Sequence, residues 1–269
     1  MALADSRRWR WLGAEFAIIV LGVLSALFVD AWLQEQEDDE RAAVYRERLI
    51  ADLETDVTNI SAVMVYYERI RSFGLAVLAE REGGARLDDF TLLFAAFNAA
   101  EEWGFTLEAA TYTDMQSTGG LALIEDVELR LDLADYHRQA VTRAIVWALP
   151  RDFREVARGI IPNALQTAIH ERCTAIPVDV IQQSTAREVP RLNFSAATGP
   201  MSAMISVGDF CGLDPEEFIV ARAAAELRNH PEVARFLRFR ISEIRVSIGL
   251  FAGQRMMAED LLAQLRDDG

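Results

Sequence analysis

The chain opens on an unbroken apolar run and then changes rhythm. From Trp11 to Leu33 it reads WLGAEFAIIVLGVLSALFVDAWL, with Glu15 and Asp30 the charged residues near its two ends. As a helix this segment is roughly 34 Å long, enough for a hydrocarbon core of about 30 Å. Past Leu33 the apolar positions become periodic. Leu49, Leu53, Val57, Ile60, Met64 and Tyr67 recur every three or four residues, the mark of an amphipathic helix. No proline precedes Pro150 and no glycine lies between Gly22 and Gly74. The pattern therefore predicts one helix from the apolar run to about Glu82, rising about 60 to 70 Å beyond a bilayer, with Gly83-Gly84 as its stop.

Shorter helices are predicted next. Asp88-Asp89 caps one that runs to about Glu102, and residues 106–117 form another before the turn at Gly119-Gly120. A helix from near Ile124 to Leu149 has Ile124, Val127, Leu131, Val141 and Ile145 among its apolar positions. Pro150 and Pro162 bound one or two helices over residues 151–173. Residues 174–213 break this pattern with three prolines and three glycines, and read as an irregular insertion with β-branched runs. Asp214-Pro215-Glu216-Glu217 restarts a helix, with a cap, a proline in the first turn and following acids. From Glu232 to about Arg266, Leu237, Ile241, Ile244, Ile248, Phe251, Arg255, Ala258, Leu262 and Leu265 alternate steps of four and three. Such a heptad seam packs on the first long helix or between chains. The expected fold is all-α: one N-terminal transmembrane helix continuing into a long amphipathic helix, in an elongated bundle with an insertion near 174–213.

Charge sets the expected direction of insertion. Arg7, Arg8 and Arg10 precede the apolar run, and Glu35, Glu37, Asp38, Asp39 and Glu40 follow it. Basic residues stay on the cytoplasmic side, so residues 1–10 are expected in the cytoplasm, 11–33 in the membrane and 34–269 outside it. A cleaved signal peptide is the rival: the uncharged stretch Phe16–Val29 is short, but Val29-Asp30-Ala31 is a poor cleavage site. Retention as an anchor is the expectation. The 269 residues carry 42 acids against 27 bases, a net charge of −15. That charge opposes binding to nucleic acid. Every base is arginine, so Schiff-base and phosphate-loop chemistry that needs a lysine amine is excluded.

Within the apolar run, Glu15, Ile19, Gly22, Ala26, Val29 and Leu33 share one face. Gly22 and Ala26 form a small-x-x-x-small pair that lets a second helix approach, which makes Glu15, Gly22 and Ala26 the candidate packing face. Glu15 either snorkels toward Arg8 or Arg10 or handles ions inside a bundle. Cys173 and Cys211 bracket the insertion and are a candidate disulfide in an oxidising compartment. The three histidines, His137, His170 and His230, give no recognisable metal spacing, and His170 with Cys173 is a weak pair. Neither a nucleophile elbow nor a zinc-protease motif is present. No catalytic residue, metal or cofactor is expected.

Two stretches carry a resemblance. Gly13-x-Glu15, Gly22, Ala26, Asp30 and Trp32 form the first; Gln116-Ser117-Thr118-Gly119, Leu121, Leu123, Ile124, Leu129-Arg130, Leu133 and Tyr136 form the second. Over about residues 10–140 the chain resembles a bacterial family of uncharacterised single-span membrane proteins with an exported helical domain. It departs from that pattern at Ala14, Phe28 and Asp30. The resemblance implies a membrane-anchored helical protein and brings no enzymatic residues with it. The expected place is the bacterial inner membrane with the bulk of the chain periplasmic. The expected role is a non-enzymatic scaffold or accessory subunit, in contact with the lipid bilayer and assembled as a homo-oligomer or within a larger membrane complex. The alternatives are a channel or ion-coupled energy-transducing subunit using Glu15 or Asp30, and a periplasmic ligand-binding or sensor module.

Overall fold

A computed structural model of the chain describes residues 3–102, 107–146, 151–173 and 213–267. Among these the fold is all-α. Helix α1 runs Leu3–Arg81 without interruption, which at 1.5 Å per residue is about 120 Å. It stops where the sequence predicts: Gly83 takes φ +91°, which a side chain would strain, and the Gly84 N–H returns to the Ala79 carbonyl. The first part of α1 is long and apolar enough to cross a membrane, and none of it is buried within the chain. The second part is the spine of a bundle.

The remaining helices are α2 (Asp89–Ala99), α3 (Ala110–Thr118), α4 (Val127–Val146), α5 (Asp152–Ile160), α6 (Asn163–Cys173), α7 (Ala221–Asn229) and α8 (Val233–Asp267). Short 3-10 turns lie at Gly120–Leu123 and Pro215–Glu217. The heptad seam of α8 closes on α1 of the same chain, antiparallel. Arg81 donates to the His230 carbonyl at one end, and Arg266 pairs with Glu54 at the other. Between them the Tyr67 and Phe251 rings lie 5.9 Å apart.

Three core layers stack along this pair. The basal layer joins Leu49 and Leu53 of α1 to Met115, Leu129, Leu133 and Leu265. The middle layer is Ile60, Val63, Tyr67 and Ile70 against Ile244 and Phe251. The distal layer surrounds α2. That helix is apolar on nearly every side, and Phe90, Leu93, Phe94 and Phe97 are all buried against α1, α5 and α7. A helix apolar all round must be wrapped on all sides. Its start is capped as predicted, with Asp88 accepting the Thr91 N–H at 2.9 Å.

Three expectations shift. The expected end of α2 near Glu102 moves back to Ala99, because Arg154 and Arg240 take the Ala100 and Glu101 carbonyls beyond it. Helix α4 buries a different face from the one predicted: Val127 and Leu131 are 56% and 63% exposed, while Leu129, Leu133 and Tyr136 are buried. Apolar residues occupy alternate positions there, so two faces compete, and Tyr136 decides between them by reaching Asp56 of α1. The helix restart at Asp214 makes its cap, with Asp214 accepting the Glu216 N–H, but only one 3-10 turn follows. The chain then lays Phe218 on Phe90, rings 6.1 Å apart, and α7 begins at Ala221. The insertion expected near 174–213 lies outside the described residues up to position 212.

Candidate functional site

The residues singled out in the apolar segment fall where their spacing puts them, along α1. A Cβ added at Gly22 would meet nothing within 4 Å, and Ala26 is exposed, so this face is open to a second helix. The side chain of Glu15 lies outside the described residues. The same holds for the Cys173 side chain and for Cys211, so the candidate disulfide rests on positions the structure does not describe. Asp30 is exposed near the end of the apolar segment.

The most constrained chemistry sits elsewhere, where α1 crosses α3 and α4. Asp56 is fully buried. One carboxylate oxygen accepts the Glu108 N–H at 2.8 Å and the other accepts the Tyr136 hydroxyl at 2.7 Å. One turn earlier, Asp52 accepts the Thr111 N–H at 3.2 Å. The N-cap position of α3 is Ala109, which offers no side-chain acceptor. Asp52 of α1 therefore satisfies an orphan N–H in the first turn of α3 from across the bundle, where the helix dipole favours negative charge, and Asp56 holds the chain just before its N-cap. Burial pushes Asp56 up to about 6; the two hydrogen bonds pull it down, and Glu108 and Asp52 raise it further. Gln254 of α8, also buried, donates to the Tyr136 carbonyl and ties α8 to the same point.

His137 stacks on Tyr112 at 4.2 Å between centroids. Burial lowers its pKa to about 4, against the upward pull of Asp52. It is thus neutral at pH 7 and wedged between rings. His170 is exposed on the last turn of α6, and His230 accepts the Glu232 N–H just before α8. Among the described residues no three His, Cys, Asp or Glu side chains converge as a metal site.

Arginines tie the distal end together. Arg228 of α7 donates to Glu80 at 2.6 Å, to Asp89 at 2.5 Å and to the Leu87 carbonyl at 2.8 Å, while Glu80 accepts the Leu87 N–H. Arg158 of α5 pairs with Glu101 and lies over the Phe97 ring at 3.5 Å. Arg151 and Arg240 converge on Glu102 at 3.3 and 3.7 Å. These contacts fasten α5, α7 and α8 around α2.

A cleft opens near the base of the bundle, between residues 39–49 of α1 and the turn leading into α4. It measures about 500 Å³. Leu49, Met115, Leu129 and Leu265 line its apolar floor, and Asp39, Arg46 and Glu125 are among its charged residues. The wall is braced by the Tyr45 hydroxyl, 3.2 Å from the Thr118 hydroxyl. Asp126, also lining it, is engaged as the cap of α4 through the Glu128 and Leu129 N–H groups.

Sequence reading missed Asp56, although a signal was present. An acid stands between Leu53 and Ile60 on the stripe that faces the core. The second resembling stretch also lies here, since Leu129, Leu133 and Tyr136 are core residues of α4. Compared with known proteins, the chain matches no family model, no curated protein and no solved structure.

Proposed function

We propose that this chain is a membrane-anchored helical scaffold, held by residues 11–33 and self-associating through the Glu15, Gly22 and Ala26 face, with its bundle on the periplasmic side of a bacterial inner membrane. The observation that supports it best is the continuity of α1. The helix that carries the bare apolar segment also supplies one wall of all three core layers, with no hinge between. A continuous helix couples the bundle to the apolar segment, so association of the segments brings the bundles side by side. The polar cores of the bundle hold helices together: Asp56 holds α3 and α4 on α1, and Arg228 holds α7 on α1 and α2. They tie elements rather than present groups toward an opening.

The orientation follows from the three arginines before the segment and the five acids after it. A periplasm-dependent reporter fused after Gly269 is expected to be active, and activity of a cytoplasm-dependent reporter there would reverse the topology. For assembly, Gly22→Leu places a bulky side chain where two backbones meet. The expected result is a smaller particle in mild detergent, with Ile18→Leu unchanged. An unaltered mass for Gly22→Leu would move assembly from the apolar segment to the bundle.

A further inference from the structure

We infer that the exposed face of α1 beyond the apolar segment, from Glu37 to Ala51, docks onto the same face of a second copy lying parallel to it. This rests on the membrane-anchor reading above, which sets the α1 helices of two copies pointing the same way. Continuity of the face is the first ground. An α-helix returns to the same face about every 18 residues, or five turns. Glu40, Val44, Glu47 and Ala51 therefore stand above Gly22, Ala26, Val29 and Leu33 on one face of a single helix. All eight are exposed. The basal core takes the opposite side of α1, through Leu49 and Leu53. A shallow groove of about 420 Å³ runs along the exposed side, lined by Glu37, Glu40, Arg41, Val44, Tyr45 and Arg48. Val44 is an apolar residue left 47% exposed there.

The arrangement of charge is the second ground. Around Val44 the signs are segregated: Glu40 and Glu47 lie on one flank of the face, Arg41 and Arg48 on the other. A two-fold axis parallel to the helices sets each flank of one copy against the opposite flank of the other. Glu40 and Glu47 then meet Arg41 and Arg48 of the second copy on both sides of the Val44 contact. An antiparallel pair sets acids against acids and arginines against arginines. Charge therefore selects the parallel pair, which is the orientation a shared membrane imposes. Glu35, Asp38 and Asp39 fall off this face, and Glu37 at its start has Arg41 one turn away. The arginines are lightly held in their own chain. Arg41 pairs with Asp38, and Arg48 lies 4.0 Å from Asp114, with 64% and 60% of the two side chains exposed. A guanidinium carries five N–H donors, so each arginine can keep that contact and take a second carboxylate.

The test uses the full chain, inserted in vesicles and extracted in mild detergent. On mild oxidation Val44→Cys is expected to give a linked dimer that the wild type lacks, and more of it than Leu131→Cys, which is exposed on α4. Arg41→Glu with Arg48→Glu makes both flanks acidic, and Glu40→Arg with Glu47→Arg makes both basic. Each double change should weaken dimerisation about tenfold and leave the melting temperature of the bundle in place, since all four side chains are exposed. All four changes in one chain exchange the flanks and should restore the dimer. Mixing the two double variants should give the mixed dimer in excess over either homodimer. Dimerisation unchanged in both double variants, no recovery in the fourfold variant, or Val44→Cys linking no better than Leu131→Cys overturns the inference. A particle that shrinks with Gly22→Leu but ignores the charge changes defeats this inference alone. Protein that does not float with the vesicles defeats the anchor reading and, with it, the shared orientation used here.

Discussion

Two apolar helical segments in this chain meet opposite fates. In α2, Phe90, Leu92, Leu93, Phe94 and Phe97 are all at most 3% exposed, enclosed by α1, α5 and α7. In α1, Phe16, Leu21, Leu24, Leu27 and Phe28 are between 56% and 75% exposed, and no described part of the chain covers them. The compositions are alike, so composition does not separate them. Length and neighbours do. The eleven residues of α2 are few enough for α1, α5 and α7 to wrap. The bare run of α1 continues the bundle's own spine beyond the last packed layer, where only another solvent or another chain can cover it. Apolar area left in water costs about 25 cal/mol per Å², which makes lipid the expected cover for one segment and protein the actual cover for the other.

Four experiments would break or sharpen this contrast. Phe94→Ala removes the centre of the distal layer and is expected to destabilise the bundle by about 3–5 kcal/mol in urea or thermal melts. The same variant should still float with vesicles, because the α1 segment is untouched. If Phe94→Ala melted like the wild type, the enclosure of α2 would be wrong.

Leu24→Arg reverses the readout. A charge at the centre of the apolar segment opposes insertion by about 2.5–3.5 kcal/mol. Flotation should fall sharply while the melting temperature of the bundle stays put. A lower melting temperature with unchanged flotation would mean that the segment packs on protein.

The buried polar layer offers a finer test with two opposite signs. Asp56 has its pKa raised from 3.8 to about 6 by burial, so the native state holds its proton more tightly than the unfolded chain. Its contribution is fully present below about pH 4 and is lost as pH rises through 6. His137 has its pKa lowered from 6.5 to about 4, so its contribution is present above pH 6.5 and is lost as pH falls toward 4. Between pH 4 and 6.5 the two slopes oppose each other, and the wild type should show a flat profile from these groups. Asp56→Asn keeps an oxygen for the Glu108 N–H and removes the buried charge. The Tyr136 hydroxyl loses its acceptor at every pH, so the signal is the change with pH: as pH rises through 6 the difference from the wild type should move in the variant's favour by about 3 kcal/mol at most, and the variant itself should lose stability as pH falls. His137→Phe keeps a ring on Tyr112 and should leave the opposite slope, with stability falling as pH rises. Parallel pH profiles for the two variants would defeat this assignment.

The smallest effect is expected from Glu15→Gln, which preserves shape and a hydrogen-bonding tip. On the scaffold reading, insertion and particle size are retained. An ion flux through reconstituted wild-type protein that Glu15→Gln abolishes would replace the scaffold with a channel.

Local order was legible in the sequence because its causes are local. The absence of proline and glycine over a long stretch, the stop at Gly83, the cap at Asp88 and the four–three seam of α8 each depend on residues within a turn or two. The all-α class, the span of α1 and the extent of α8 followed from them. The seam could not say whether its partner was α1 or another chain, since a heptad specifies a face and leaves the identity of its neighbour open. Tertiary structure decided that, by closing α8 back along α1. It also decided which face α4 buries, because two apolar faces were present and a single long-range hydrogen bond from Tyr136 to Asp56 favours one. The roles of Asp52 and Asp56 were hidden for the same reason. An acid on a helix reads as solvated until the fold brings it to unpaired backbone N–H groups at and just before the start of a helix more than fifty residues away.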